Sequence, residues 1–241
     1  MSSLAPSKVI STGTASMMFY DLTVRDVAGS GLVETLSELN ARCFGFDQEP
    51  PLNETADRLS RSHGLILLVI QGHEQPVGFA TYELTNSSVG SIVYQSRGLL
   101  SEARGRSYGS TFVSVAVDLY HPRYVAGRTQ NPLSVWSIMK SGRFSTIYPF
   151  DKLYADSRDA TVALLELVAS RGQSGKVDVK TGLQPKSYSM GKLGDYQIDL
   201  GHTGVARVTK LMDGFGLDRQ EGDAIYYLAE VECTEAPLSS R

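Results

Sequence analysis

The residues best suited to chemistry lie in a short turn that contains two glycines and two arginines. An apolar segment ending at Leu99 precedes the turn, and an apolar-periodic segment follows it. The turn reads Arg104-Gly105-Arg106-Ser107-Tyr108-Gly109. The first amides of a helix have no intrahelical acceptor, the helix dipole adds positive charge, and glycine lets a phosphate approach the backbone. The sequence therefore predicts that the amides from Gly105 to Ser110 bind a phosphate, with Arg104 or Arg106 beside it.

This turn resembles the acetyl-coenzyme A (acetyl-CoA) signature of the GCN5-related N-acetyltransferase (GNAT) superfamily. That signature is Arg or Gln, two residues, Gly, one residue, then Gly or Ala before a helix, and Ser107 stands where its first glycine is expected. We expect a β-carbon there to be tolerated only if the backbone stays in the right-handed region. The later order also fits the family: a strand, Asn131 at its end, a short helix and a corner from Gly142 to Phe144. The family's usual tyrosine late in that helix is missing, because Ile138 lies near the aligned place.

The resemblance is clearest over residues 18–150 and implies a fold, a co-substrate and a reaction. The implied α/β fold has a central mixed, mostly antiparallel sheet, helices on both faces, and a gap where the fourth and fifth strands splay apart. Acetyl-CoA enters that gap as co-substrate, and no metal is needed. A main-chain amide of the fourth strand, near Leu99 or Leu100, stabilises the oxyanion. The acyl group then passes directly to an amine of a small molecule or a peptide.

The general base and the general acid are the least defined parts of the prediction. Many family members have a Glu on the fourth strand, whereas residues 93–96 contain no acid. Glu83, at the end of the preceding strand, is the nearest carboxylate and is our candidate base, acting through water; alternatively it is a solvated strand-end acid. Tyr148 follows the helix that lacks its tyrosine and is our candidate acid; alternatively it is a packed aromatic at a strand edge. Tyr94 and Tyr108 also offer hydroxyl groups.

Several further residues near these segments have two interpretations. Asn131 could bind the cofactor, or it could cap a helix that has Pro132 at its first position. Trp136 could pack within its helix or form a wall for cofactor or acceptor. Arg97 and Arg123 are interpreted as solvated side chains.

Composition narrows the class of protein. The chain has 241 residues, 41% of them hydrophobic and 20% charged, which is ordinary for a globular protein. A net charge of −3 argues against a nucleic-acid partner. Without a membrane-span or signal pattern, and with two cysteines that suit neither a disulfide framework nor a metal site, we expect a cytoplasmic protein without a membrane partner. A homodimer is left open.

Apolar periodicity predicts the order of elements. Strands are predicted over residues 18–24, 65–70, 76–84, 91–100 and 224–231, and helices over 32–44, 108–119, 161–169 and 204–215, with a long loop or hairpin over 172–194. We expect a flexible leader over residues 1–15, a single domain over 16–232 with a divergent part from 151 onward, and a tail over 233–241.

Two rivals to an acyltransferase remain at this stage. One is a non-catalytic acyl-CoA-binding or regulatory module on the same scaffold, favoured by the missing acid and tyrosine. The other is an unrelated α/β binding protein whose turn matches by chance.

Overall fold

The computed structural model describes residues 4–23, 27, 30–46, 49–151, 157–173, 175–189, 191–194 and 201–232. The strands are β1 (Lys8–Thr12), β2 (Ala15–Asp21), β3 (Gly64–Ile70), β4 (Gly78–Ser87), β5 (Gly90–Leu99), β6 (Tyr124–Thr129), β7 (Phe144–Tyr148), β8 (Leu183–Gln184) and β9 (Ala224–Val231). The helices are α1 (Leu32–Phe44), α2 (Leu52–Arg61), α3 (Tyr108–Tyr120), α4 (Pro132–Met139), α5 (Arg158–Ser170) and α6 (Thr203–Gly214). None of these helices is long and apolar enough to cross a membrane.

All the strands belong to one mixed sheet. Its order is β1-β2-β3-β4-β5-β6-β9-β7, and β8 pairs with β9 beside this path. Only β5 and β6 run parallel; the other pairs are antiparallel. A helix, α3, joins β5 to β6, as a parallel connection requires. The predicted α/β class with a mostly antiparallel sheet is confirmed.

The predicted leader is wrong over residues 8–12. These residues form β1, which pairs with β2 from Lys8 opposite Phe19 to Thr12 opposite Ala15. The strand was missed because it lies at the edge of the sheet and is largely exposed; Val9, for example, is 54% exposed. Its apolar residues therefore do not alternate with polar ones as they do in a strand that buries one face. The strands that the sequence ranks fourth and fifth are therefore β5 and β6. The tail over 233–241 lies outside the described residues, and the limits of the domain stay a prediction.

The other predicted elements exist with small shifts at their ends. The strand predicted over 18–24 is β2, which starts at Ala15; residue 24 lies outside the described part of the chain. Within residues 172–194 the described positions form one two-residue strand, β8. The predicted strand at 224–231 matches β9.

Alternate residues of each strand face opposite layers of helices. On β9, Tyr226 and Leu228 pack with α5, whereas Tyr227 and Ala229 pack with α4 and α6. On β5, Gly98 lies against Cys43 of α1, while Arg97 reaches α3 and α4. One face of the sheet therefore carries α1 and α5, and the other carries α3, α4 and α6.

Candidate functional site

A gap opens in the sheet between β5 and β6. The two strands pair only from Ile92 opposite Tyr124 to Tyr94 opposite Ala126, although β5 continues to Leu99 and β6 to Thr129. The Leu100 amide donates to the Val77 carbonyl of the chain before β4 at 2.9 Å. Because main-chain groups alternate along a strand, those of Arg97 and Leu99 point away from β4 and into the gap.

The turn over residues 104–109, predicted to bind phosphate and therefore named the phosphate turn, lies at one mouth of this gap. The 3-10 turn Ser101–Ala103 follows β5, and α3 begins at Tyr108 with Ser107 in the N-cap position. The amides of residues 105–109 have no acceptor among the described residues. The Ser110 amide, which was also predicted to bind the phosphate, instead donates to the Ser107 carbonyl at 3.0 Å, so the prediction is wrong at this position. A sheet with a splayed parallel pair, followed by an anion-binding turn and a helix, is the arrangement that the resemblance predicts. The chain has a GNAT-like fold.

Comparisons with known proteins gave matches among solved structures only. No protein-family model matches the sequence, and no curated protein matches it. Similar structures include the ribosomal-protein-S5-alanine acetyltransferase from Vibrio fischeri (8% identity, 58% of this chain and 86% of that chain, TM-score 0.41). They also include a GNAT superfamily phosphinothricin acetyltransferase from Sinorhizobium meliloti in complex with acetyl-CoA (19% identity, 56% of this chain and 77% of that chain, TM-score 0.39). A third is an acetyltransferase of the GNAT family from Streptococcus pneumoniae (12% identity, 54% of this chain and 87% of that chain, TM-score 0.39).

A cleft of about 650 Å³ occupies the gap between β5 and β6 and is lined by residues on both faces of the sheet. On the face of α3 and α4 it is lined by the predicted residues Leu99, Gly105, Ser107, Tyr108, Gly109, Ser110 and Asn131, and Arg104 lines it between the end of β5 and α1. On the opposite face it is lined by Glu83, Tyr94, Arg58, Arg128, Arg171 and Tyr188. The structure therefore brings most of the predicted cofactor residues to one cleft, together with charged residues that the sequence did not single out.

Ser107 has a backbone conformation opposite to the predicted one. Its φ of 64° and ψ of 6° lie in the left-handed region, and its side chain makes no capping hydrogen bond. The turn geometry, which glycine adopts without strain, overrides the preference of serine. The position thus keeps the conformation of a glycine although it carries a β-carbon.

The two arginines of the turn have different roles. The Arg104 guanidinium donates from Nε to the Leu99 carbonyl at 3.0 Å and from Nη2 to the Cys43 carbonyl at 3.4 Å, so it connects the end of β5 to α1. Arg106 is exposed, lies outside the lining of the cleft, and makes no hydrogen bond or ion pair with any described residue. Of the two, Arg106 is the one with a guanidinium that is not engaged in supporting the turn.

The two residues predicted to supply the oxyanion amide also differ. Leu100 is buried, lies outside the cleft lining, and its amide is engaged with Val77. Leu99 lines the cleft, and its main chain faces the gap. Only the Leu99 amide therefore has the required direction.

The first turn of α3 lies close to the last turn of α4 beside the cleft. Ser110 Oγ donates to the Ser137 carbonyl at 2.8 Å. Asn131 caps α4, since its Oδ1 accepts from the Leu133 amide at 2.9 Å and Pro132 occupies the first helical position. The capping interpretation of Asn131 is confirmed, and the residue also lines the cleft.

Trp136 forms part of the cleft wall. Its ring meets the His202 ring edge-on, with centroids 5.1 Å apart, at the start of α6. A β-carbon on Gly204 would collide with the indole. The close contact between Trp136 and α6 thus requires glycine at this position.

Glu83 lies at the second mouth of the cleft, on the face of α5. Its Oε2 is 2.6 Å from Nη1 of Arg171, in an ion pair whose side chains are 15% and 25% exposed. The Arg171 guanidinium lies over the Tyr94 ring, 3.8 Å from the centroid. Glu83 is the only carboxylate among the described residues that line the cleft.

Tyr148 does not reach the cleft. It lies on β7 with 1% exposure, inside the apolar cluster under α5, and burial raises the pKa of its hydroxyl to about 12. The structure therefore does not support the prediction that Tyr148 is the general acid, and it agrees with the alternative of a packed aromatic. Register decided the outcome: Tyr148 pairs with Leu228, on the side of β9 away from β6.

Sequence reasoning missed a half-buried arginine beside the gap. Arg97 was interpreted as solvated, but its guanidinium donates to the Gly109 carbonyl and to the Ser134 carbonyl, both at 2.6 Å, and burial lowers its pKa. Arg123 is exposed as expected, and it pairs with Asp159 and Glu230. The signal for Arg97 was its place on a strand of otherwise small or apolar residues leading into the phosphate turn.

Other missed residues come from the divergent part of the chain. Tyr188 donates to the Arg128 carbonyl at 3.3 Å, and the Arg128 guanidinium lies 4.7 Å from the centroid of its ring. Burial raises the pKa of Tyr188 to about 12. Tyr227 of β9 crosses Gly127 and accepts a hydrogen bond from Gln95 Nε2 at 3.2 Å. No local signal connects these residues to β5 and β6, because only the fold brings them there.

Proposed function

We propose that this chain is an acyl-CoA-dependent N-acyltransferase that transfers an acyl group, in the simplest case acetyl, from acetyl-CoA to an amine. The observation that carries the proposal is the cleft through the sheet between β5 and β6, with the anion-binding turn at one mouth and a polar cluster at the other. The acceptor amine belongs to a small molecule or a peptide, and the enzyme acts in the cytoplasm.

Binding of the co-substrate uses two sets of main-chain groups. The amides of residues 105–109, which have no acceptor among the described residues, bind the pyrophosphate with the help of the α3 dipole. The strand-like main chain of Arg97 offers hydrogen bonds to the amides of the pantetheine arm, as an open sheet edge does for an added strand. Arg106 adds charge, whereas Arg104 supports the turn.

The reaction requires few groups of the protein. The amine nitrogen attacks the thioester carbonyl, a C–N bond forms, the C–S bond breaks, and one proton moves from nitrogen while another reaches sulfur. Holding the two reactants in line supplies much of the acceleration, and the Leu99 amide faces the gap where the oxyanion develops. Glu83, acting through water, accepts the proton of the amine, and its ion pair with Arg171 fixes its position.

Tyr188 is the proton donor that we propose in place of Tyr148. It lines the cleft, and with a pKa of about 12 it stays protonated near neutral pH. Its hydrogen bond to the Arg128 carbonyl and the stacked guanidinium fix the ring. A thiolate is a tolerable leaving group, so this role demands less than that of the base.

The proposal is tested by CoA release, measured with a thiol reagent, from acetyl-CoA in the presence of a panel of amines. We expect Glu83→Gln to lower kcat by on the order of a hundredfold with CoA binding intact, and the loss to shrink at high pH because the amine is then already neutral. Tyr188→Phe is expected to lower kcat by a smaller factor. Tyr148→Phe is the matched control, since it removes a hydroxyl outside the cleft and leaves kcat unchanged. Equal loss in the two tyrosine variants contradicts the role of Tyr188.

One observation favours a second candidate, a non-catalytic acyl-CoA-binding module. Glu83, the only carboxylate among the described cleft residues, is already engaged with Arg171. In that case CoA raises the unfolding temperature, but no amine of the panel releases thiol. Absence of any effect of CoA on the unfolding temperature removes both candidates.

A further inference from the structure

The cleft mouth on the face of α5 carries more positive than negative charge. Three guanidinium groups line it, those of Arg58, Arg128 and Arg171, against the one carboxylate of Glu83. The Arg171 group is fixed by Glu83 and by the Tyr94 ring. The Arg128 guanidinium is fixed by its contact with the Tyr188 ring and by a hydrogen bond of 3.3 Å that its Nη1 donates to Gln184 Oε1. This mouth lies on the face opposite the phosphate turn, so the phosphates of CoA do not neutralise it.

Arg58 has no partner in this cluster. Its guanidinium makes no hydrogen bond or ion pair with any residue in the described part of the chain. It is half-buried, its electrostatic neighbours include Tyr94, Glu83 and Arg171, and burial lowers its pKa. Withdrawing a charged group from water without a partner raises the free energy of the protein. A bound ligand that supplies an anion offsets this free energy.

A second cavity adjoins the cleft at Arg58 and leaves room for an acceptor. It measures about 820 Å³ and shares Asn40, Phe46, Arg58 and Arg171 with the cleft. The carboxylates that line it, Glu49, Glu54 and Asp57, are exposed, and none of them pairs with Arg58 or Arg171 among the described residues. The buried side of the junction between the two spaces is therefore basic.

We propose that the acceptor is an amine that also carries an anionic group, a carboxylate or a phosphate, and that Arg58 binds this group. The inference rests on the proposed function and names its substrate class. The guanidinium fork matches the two oxygens of a carboxylate or phosphate and binds them bidentately. With the anion at Arg58, the amine of a small acceptor lies near Glu83, which faces the same mouth. Arg171 stays paired with Glu83 and adds positive charge beside the bound anion.

The test compares matched pairs of amines that differ only in the anionic group: L-alanine with L-alaninamide, L-phenylalanine with L-phenylalaninamide, and O-phosphoethanolamine with ethanolamine. CoA release is measured with wild type, Arg58→Gln and Arg42→Gln. Arg42 is an exposed arginine of α1 paired with Glu38 outside both cavities, so its variant controls for net charge. We expect the anionic member of at least one pair to have the higher kcat/KM. In the two amino-acid pairs, the amine of the neutral amide is less basic than that of the amino acid, so more of it is unprotonated near neutral pH. A preference for the anionic member therefore does not follow from the reactivity of the amine.

Arg58→Gln is expected to lower kcat/KM for the anionic member by roughly 10- to 100-fold, to leave the neutral member unchanged, and to leave the CoA-induced shift in unfolding temperature intact. Preference for carboxylate over phosphate among the pairs identifies the anion. Equal use of anionic and neutral members, or a preference that survives in Arg58→Gln, overturns the proposal while the acyltransferase function stands. If no amine releases thiol, the same amines are tested as ligands by calorimetry with CoA present. Binding of an anionic member that Arg58→Gln abolishes then supports the site, and absence of such binding overturns it.

Discussion

Ser107 combines a conformation suited to glycine with a side chain that makes no compensating contact. It is one of three described non-glycine residues with positive φ, and its side chain is exposed and forms no capping bond. A left-handed backbone costs an L-residue roughly 1–2 kcal/mol relative to glycine. The left-handed conformation of Ser107 is therefore imposed by the surrounding turn against the local preference of a serine.

Replacing Ser107 by glycine is expected to leave CoA affinity unchanged and to change the free energy of unfolding by between 0 and about +1 kcal/mol. The relief of strain is partly offset by the greater entropy of glycine in the unfolded chain. Thermal unfolding and calorimetric titration with CoA measure the two quantities. Ser107→Ala, which keeps the β-carbon, is the control and should show no gain. A clear loss of stability in Ser107→Gly contradicts this account of the turn.

One side chain, that of Arg97, connects both helices α3 and α4 to the sheet beside the gap. Arg97 projects from β5 and donates to a carbonyl in the first turn of each helix, Gly109 and Ser134. Hydrogen bonds from a charged donor in a buried site are among the stronger ones. The distance between the phosphate turn and the strand main chain is thus set by an element-to-element connection rather than by either helix alone.

Arg97→Met is expected to lower the free energy of unfolding by about 2–4 kcal/mol, because it removes two hydrogen bonds from a charged donor in a partly buried site. It should also weaken CoA binding, since α3 carries the phosphate turn. Denaturant titration gives the first quantity and calorimetry the second. Arg106→Met removes an exposed arginine of the same turn and should leave stability within about 0.5 kcal/mol of wild type. Equal stability of the two variants excludes the connecting role of Arg97.

At the scale of the whole molecule, the divergent C-terminal part completes the sheet. The strand β9 lies between β6 and β7, pairs with both, and is buried over most of its length. Its Tyr226 and Leu228 pack under α5, and its Tyr227 packs against α4 and α6. Residues 18–150, which carry the family resemblance, therefore do not contain the complete central sheet.

A chain ending at residue 150 is expected not to fold cooperatively. Without β9, the edge of β6 that pairs with it has no partner strand. The strand β7 loses the one strand it pairs with among the described residues. Circular dichroism during heating and the dispersion of amide NMR signals measure the outcome. A chain ending at residue 232, which keeps β9, should unfold like the full chain. A cooperative transition in the shorter chain shows that β6 and β7 do not need β9.

Local patterns determined most of the elements and the location of the phosphate turn. Apolar periodicity and the glycine-arginine turn depend on neighbours within a few residues, so β3, β5, α3 and β9 could be predicted from the sequence. Ser107 was assigned the wrong region because its conformation is imposed by the surrounding turn, and β1 was missed because an exposed edge strand has no buried face. Asn131 could be interpreted either way, since a helix cap and a cleft residue need the same side chain.

Only the tertiary structure decided which polar side chains meet in the gap. The pairing of Glu83 with Arg171, and of Arg128 with Tyr188, joins strands to segments far along the chain. Such contacts depend on sheet order and on the packing of α5, which a local period does not encode. The same order took Tyr148 away from the gap, because β9 separates β7 from β6. The sequence by itself therefore determined an α/β chain with a turn of glycines and arginines at the start of a helix. The fold decided where the opposite mouth of the cleft lies and that this mouth carries a net positive charge.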